Sequence, residues 1–212
     1  MPPSASLRRF IPAAAALLLA VSPAVPAPSA PPSTQSAAVI PAKAARASVV
    51  LLRGGVGGIF SHGLDQIGAK LAAKGVSTTV AGYGSAGTIA RRLIEARKRG
   101  ALGPVILVGH SFGADAITAL ATDLDRAGVR VDLLVSFAAT APRPVPRNVR
   151  RALNFYFSQG GWGLPLVPAQ GFRGRLDNRD YSRTAGVGHF NIEKQAAVQA
   201  EVITAILAAT RR

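Results

Sequence analysis

An open α/β fold, with a mostly parallel sheet and helices on both faces, is predicted for residues 48–212, and three observations carry it. Short continuous apolar runs alternate with longer runs of helical spacing. Glycines punctuate the changes from one kind of run to the other. The run at 105–108 is apolar throughout, as a strand buried on both faces must be. The chain has 212 residues, 49% hydrophobic and 17% charged, which suits one packed domain and excludes both two large domains and disorder throughout.

Residues 1–47 stand outside that fold, holding nine of the 15 Pro, four basic residues and no acid. Arg8 and Arg9, an apolar run over 10–21, and then small residues and prolines read as the three regions of a secretory signal peptide over residues 1–29. The run is about half of the ~20 residues that span a bilayer. Cleavage after Ala24 and cleavage after Ser29 fit equally, and the Arg8-Arg9 pair also admits the twin-arginine route. Residues 30–47 form a Pro/Ala-rich linker, solvated and extended. The expectation is an exported protein, periplasmic or secreted, with no transmembrane segment after processing.

Residues 49–52 predict a strand, 64–73 a helix stopped by Gly75, and 76–80 a second strand. Residues 88–99 predict a helix with Ile89, Leu93 and Ile94 inward and its arginines outward, ended by Gly100. The central strand at 105–108 leads to a helix at 112–127, a strand at 131–137 and a last clear strand at 152–157. Residues 158–182 are rich in Gly and Pro and match no element, whereas 192–209 predict a C-terminal helix. In such a sheet the ligand site lies beyond the carboxyl ends of the strands.

Gly109-His110-Ser111-Phe112-Gly113 directly follows the central strand and directly precedes a helix, the setting a nucleophile elbow needs. Small neighbours at Gly109, Gly113 and Ala114 let strand and helix approach while the turn holds Ser111 clear of the backbone. At a helix N-terminus, amide dipoles favour the negative charge that develops when a hydroxyl attacks a carbonyl. On these residues the chain resembles the α/β-hydrolase superfamily, most closely its lipase and thioesterase-like members with Gly-His-Ser-Xaa-Gly elbows. The resemblance runs from residue 48 to the C-terminus and implies a minimal α/β-hydrolase-like sheet.

A serine hydroxyl needs a base, and three histidines compete for the role. His110 adjoins Ser111 along the turn and should point away, as an elbow-packing residue. His62 reads as a loop or capping residue. His189, in Gly186-Val187-Gly188-His189-Phe190 before the last helix, matches the order serine, acid, histidine that the resemblance implies. The acid is less clear. The slot where the resemblance places the acid, just after strand 131–137, holds Ala138, and Asp132 lies at the wrong end of that strand. Asp180 and Asp177 remain as candidates to orient the imidazole, alongside a dyad held by a backbone carbonyl or by Asn178.

The oxyanion donors are expected to be the amide of Phe112 and those of the glycine-rich loop after the first strand, with Gly55 and Val56 in place. That loop lacks the spacing of a phosphate or dinucleotide fingerprint, so no cofactor is expected. Candidate pocket aromatics are Phe60, Phe112, Phe155, Tyr156, Trp162 and Phe172. Trp162 is singled out because it sits alone in a Gly-rich loop beyond a strand end. The connection 141–151 is too short for an inserted lid, which leaves an open site.

Twenty-five Lys and Arg against ten acids give a net charge of +15, and 21 of those cations follow the linker. Arg143, Arg147, Arg150 and Arg151, and again Arg173, Arg175, Arg179 and Arg183, form arginine-rich patches that suit an anionic surface or merely a solvated one. No nucleic-acid motif accompanies them. With no Cys, there is no disulfide, thiolate nucleophile, cysteine zinc site or lipid-modified cysteine. The expected function is an exported serine hydrolase acting on a small-molecule ester or thioester through an acyl-enzyme on Ser111. The alternative is a catalytically impaired binding protein on the same scaffold for an anionic or acyl ligand.

Overall fold

β1 (Ser48–Arg53) and β3 (Val105–His110) are neighbouring inner strands of a six-stranded sheet in the computed structural model, which describes residues 46–160 and 162–211. The signal peptide expected over 1–29 and all but the last two residues of the linker lie outside the described residues. β2 (Thr78–Gly82) flanks β1, while β4 (Leu133–Phe137), β5 (Arg151–Tyr156) and β6 (Arg175–Asp180) continue beyond β3, giving the order β2-β1-β3-β4-β5-β6. Every pairing is parallel.

Among the described residues α1 (His62–Ala72), α2 (Ala86–Lys98) and α3 (Phe112–Arg126) make the crossovers from β1 to β2, β2 to β3 and β3 to β4, and α4 (Ala196–Thr210) follows β6. Alternation along the strands divides the core. Val49, Leu51, Ile106, Val108 and Val135 face α1 and α4, while Val50, Leu52, Leu107 and Leu134 face α2 and α3. Both faces are covered, which is why the central strands are apolar without a break.

The element boundaries depart from expectation in three informative places. Val131 and Asp132 precede β4, where the Asp132 carboxylate accepts a hydrogen bond from the Val105 amide at 3.0 Å and pairs with Arg130. The C-terminal apolar segment breaks at Gln195, with a 3-10 turn at Ile192–Lys194 preceding α4. The third departure is β6, which fell in the stretch that matched no element. Arg-Leu-Asp-Asn-Arg-Asp pairs only with β5, as an edge strand, and polar side chains give it no apolar run to read.

Candidate active site

Ser111 occupies the turn between β3 and α3 with φ 57° and ψ −127°, a backbone conformation that non-glycine residues rarely adopt. Close packing enforces it. A Cβ on Gly113 would lie 1.9 Å from the Leu52 carbonyl oxygen, and one on Gly109 would lie 2.3 Å from that of Gly113. The Ser111 amide donates to the Phe137 carbonyl at 2.9 Å, tying the turn to the end of β4. Two other non-glycine residues with positive φ, Val56 and Ala138, also follow strand ends around this site.

His189, in the loop after β6, places Nε2 3.0 Å from Ser111 Oγ although 78 residues separate them. Its Nδ1 lies 2.5 Å from the backbone carbonyl oxygen of Trp162. A carbonyl only accepts, so Nδ1 carries the proton and Nε2 is left to accept from the serine hydroxyl. Burial foremost pushes His189 below the usual imidazole value of 6.5, against the opposing pull of the Trp162 carbonyl and the Asp115 charge.

Neither aspartate expected to orient the base reaches it. Asp180, at the end of β6, accepts from the Ser182 amide at 2.9 Å and its hydroxyl at 2.6 Å, and from the Ser158 amide and hydroxyl. It clamps the loops after β5 and β6 together, and the two serines hold its carboxyl well below the usual range. Asp177 pairs with Arg175 at 2.9 Å and Arg151 at 3.4 Å. Asn178 bonds Asn154 and the backbone of Leu166. The loop after β5 takes the place beside Nδ1 because Ala138 has so little side chain: a Cβ on Gly163 would lie 2.8 Å from Ala138 Cα, and the Leu164 amide donates to the Ala139 carbonyl at 2.7 Å.

Gly55, Val56 and Phe112 converge with Ser111 and His189 on one cavity of about 160 Å³, which Phe60, Trp162 and Phe190 also line. Among the described residues the amides of Gly55, Val56 and Phe112 meet no acceptor, whereas the Gly54 amide donates to Ser61 Oγ at 2.9 Å. Gly55 packs closely against the Phe112 ring, where a Cβ would come within 2.9 Å of it. Val56 is a β-branched residue at φ 51°, so this loop is strained where it faces the cavity.

His110 turns away from the serine but is not a mere packing residue. Its Nδ1 accepts from Ser61 Oγ at 2.8 Å, and its Nε2 donates to the His189 carbonyl at 2.7 Å. One buried chain therefore joins the glycine loop, the residue before Ser111 and the loop carrying His189. Burial drives His110 down to about 4, so the imidazole is neutral. Behind it Glu193 is fully buried, with Oε2 3.9 Å from His110 Nε2 and no hydrogen bond to either carboxyl oxygen. Burial raises its pKa to about 7. Glu193 is absent from the residues expected at the site, and so is Asp115, whose carboxylate accepts from the amides of Thr140 and Ala141, each at 2.9 Å, pinning the end of β4 to α3. Its spacing of one helical turn after Ser111 is the signal that could have found it.

Of the other candidates, His62 is exposed at the start of α1 near Asp65. Phe155 is core, stacked on Phe137, and Phe172 packs under α3's side of the sheet. Val56, Phe60, Tyr83, Trp162 and Phe190 are exposed on segments that follow strand ends and Phe112 at the first residue of α3, so an apolar collar surrounds the hydroxyl. Among the described residues no Lys, Arg, Asp or Glu lines the cavity. At the opposite, amino-terminal ends of the strands Arg150, Arg151 and Arg175 line a cleft of about 270 Å³, whereas Arg179 lies near the carboxyl end of β6 and Arg183 follows it. Among the described residues no three His, Asp or Glu side chains cluster to hold a metal ion, and no helix is long and apolar enough to cross a membrane.

No protein-family model and no curated protein sequence matches the chain. Among solved structures, the type II thioesterase BorB from the borrelidin biosynthetic cluster is similar, with a TM-score of 0.47 and 14% identity over 77% of this chain and 95% of that chain.

Proposed function

We propose that this protein is an exported serine hydrolase that cleaves an apolar carboxylic ester or thioester through an acyl-enzyme on Ser111. The observation that carries the reading is the 3.0 Å approach of His189 Nε2 to Ser111 Oγ inside an apolar cavity, with Nδ1 already committed to the Trp162 carbonyl.

Attack by Oγ on the acyl carbon passes the hydroxyl proton to His189 Nε2. The carbonyl oxygen becomes negative and accepts from the Phe112 amide and from Gly55 or Val56, donors that are fixed before reaction. Collapse of the tetrahedral intermediate expels the alcohol or thiol, which takes the proton back from Nε2. Water then attacks the acyl-serine with His189 again as base, releasing the carboxylic acid and restoring the hydroxyl. The collar of aromatic and aliphatic side chains favours an uncharged acyl group. Export rests on Arg8-Arg9, the apolar run over 10–21 and the small residues after it.

A second reading, an apolar-ligand binding protein with an impaired site, draws on the absence of a carboxylate from His189 Nδ1. A panel of p-nitrophenyl esters and acyl thioesters separates the two. The hydrolase gives a burst near one equivalent of p-nitrophenol followed by a slower steady state, and Ser111→Ala gives neither. If the wild-type chain binds these compounds but releases no product from any of them, the binding reading stands.

A further inference from the structure

A backbone carbonyl can fix the tautomer of His189, but it is uncharged and cannot by itself offset the positive charge that the ring acquires on taking the serine proton. A carboxylate would perform both tasks. The residue that supplies the carbonyl also supplies a second contact. The Trp162 indole lies over the His189 imidazole with ring centroids 4.5 Å apart and planes 22° from parallel, while Phe190 meets the same imidazole edge-on at 4.8 Å. The indole is 54% exposed in a Gly-rich loop, where burial of the ring is no reason to hold it in place. The loop's own fastenings, Asp180 to Ser158 and Leu164 to Ala139, fix the backbone on both sides of it.

We infer that Trp162 is a positioning residue that does the work of the missing triad acid, its carbonyl orienting the imidazole and its indole face stabilising the imidazolium by a cation–π contact. The inference rests on the hydrolase reading for its catalytic meaning, though the contact itself can be tested without turnover. Indole is the strongest aromatic partner for a cation, and the attraction grows where water is excluded. The other groups that face His189 do not replace it. His110, 5.2 Å away across the ring centroids, is neutral, and Glu193 lies behind His110. Asp115 favours the cation, but amides and a hydroxyl of the loop after β4 already surround its carboxylate.

The test compares Trp162→Leu, which keeps an apolar cover but removes the π face, with Trp162→Phe, which keeps both. His189 is titrated by NMR through its imidazole signals, with the amide spectrum reporting that each variant is folded. Expected is a fall in the His189 pKa of about 0.5 to 1 pH unit in Trp162→Leu, with kcat about 10-fold lower, and recovery of most of both in Trp162→Phe. A ring that only excluded water would do the opposite, since removing it would raise the pKa. An unchanged or raised value in Trp162→Leu therefore overturns the inference. Should the wild-type chain show no turnover and no reaction at Ser111, the hydrolase reading fails instead, and the titration still reports on the contact.

Discussion

His110 holds the backbone of His189: its Nε2 donates to the His189 carbonyl at 2.7 Å, so the residue before the candidate nucleophile anchors the loop that brings the base to it. Ser61 completes the chain by donating to His110 Nδ1 and accepting from the Gly54 amide. Ser61→Ala removes one hydroxyl and leaves two buried groups without partners. The expected loss in unfolding free energy is about 1–3 kcal/mol, measured by urea denaturation, with kcat falling more than KM changes. A loss below about 0.5 kcal/mol would show that the chain carries no weight.

The two aspartates of β6 separate by what they touch. Asp177→Asn removes ion pairs with Arg151 and Arg175 far from Ser111 and should leave kcat/KM within about 2-fold of wild type. Asp180→Asn loosens the loop that carries Trp162 and should lower kcat by about 10-fold or less. A triad acid would cost about 10⁴-fold. A loss of that size at either position would return that residue to the mechanism.

Burial of His189 sets the acid limb of the pH profile. In the proposed mechanism His189 works as a base when neutral, and burial holds its pKa below 6.5, so kcat/KM should rise through a single ionisation centred below 6.5 and stay level above it. His189→Ala should lower kcat by at least about 10³-fold and abolish that limb. A limb centred above 7 would contradict the burial of the imidazole.

Much of the architecture is legible in the chain, because strands buried on both faces leave apolar runs and the crossover helices leave periodic ones. Edge strand β6 is not, since a strand with one neighbour and half-exposed side chains need not be apolar. The meeting of Ser111 with His189 follows from their places beyond the ends of β3 and β6, and Trp162 draws notice as a lone aromatic in a glycine loop. What orients His189 is legible only in part: a dyad held by a backbone carbonyl stands beside Asp180, Asp177 and Asn178, but nothing in the sequence names Trp162 as the residue that supplies it. Side-chain chemistry points to a nearby carboxylate, whereas the fold presents a main-chain carbonyl, a group every residue possesses. Glu193 was equally hidden, for its approach to His110 depends on Gly63, where a Cβ would lie 2.4 Å from the Glu193 carbonyl oxygen.

Glu193 makes stability depend on pH. Its pKa rises from 4.5 in the unfolded chain to about 7 when buried, so between those values the folded state binds more protons than the unfolded one. Its contribution is therefore full below pH 4.5, falls as pH rises between 4.5 and about 7, and is lost above that. Glu193→Gln should gain about 2–3 kcal/mol relative to wild type between pH 5 and pH 8, read from denaturation at both values. A difference that stays constant across that range would place the carboxyl in water.

Covalent labelling of Ser111 by a fluorophosphonate tests the central claim most directly, because phosphonylation requires the same activated hydroxyl and the same amide donors as acyl transfer. Expected is one adduct per chain, located on Ser111 by peptide mass spectrometry, absent from Ser111→Ala and at least about 10³-fold slower to form in His189→Ala. A folded wild-type protein that stays unlabelled, or an adduct that survives Ser111→Ala, would contradict that claim.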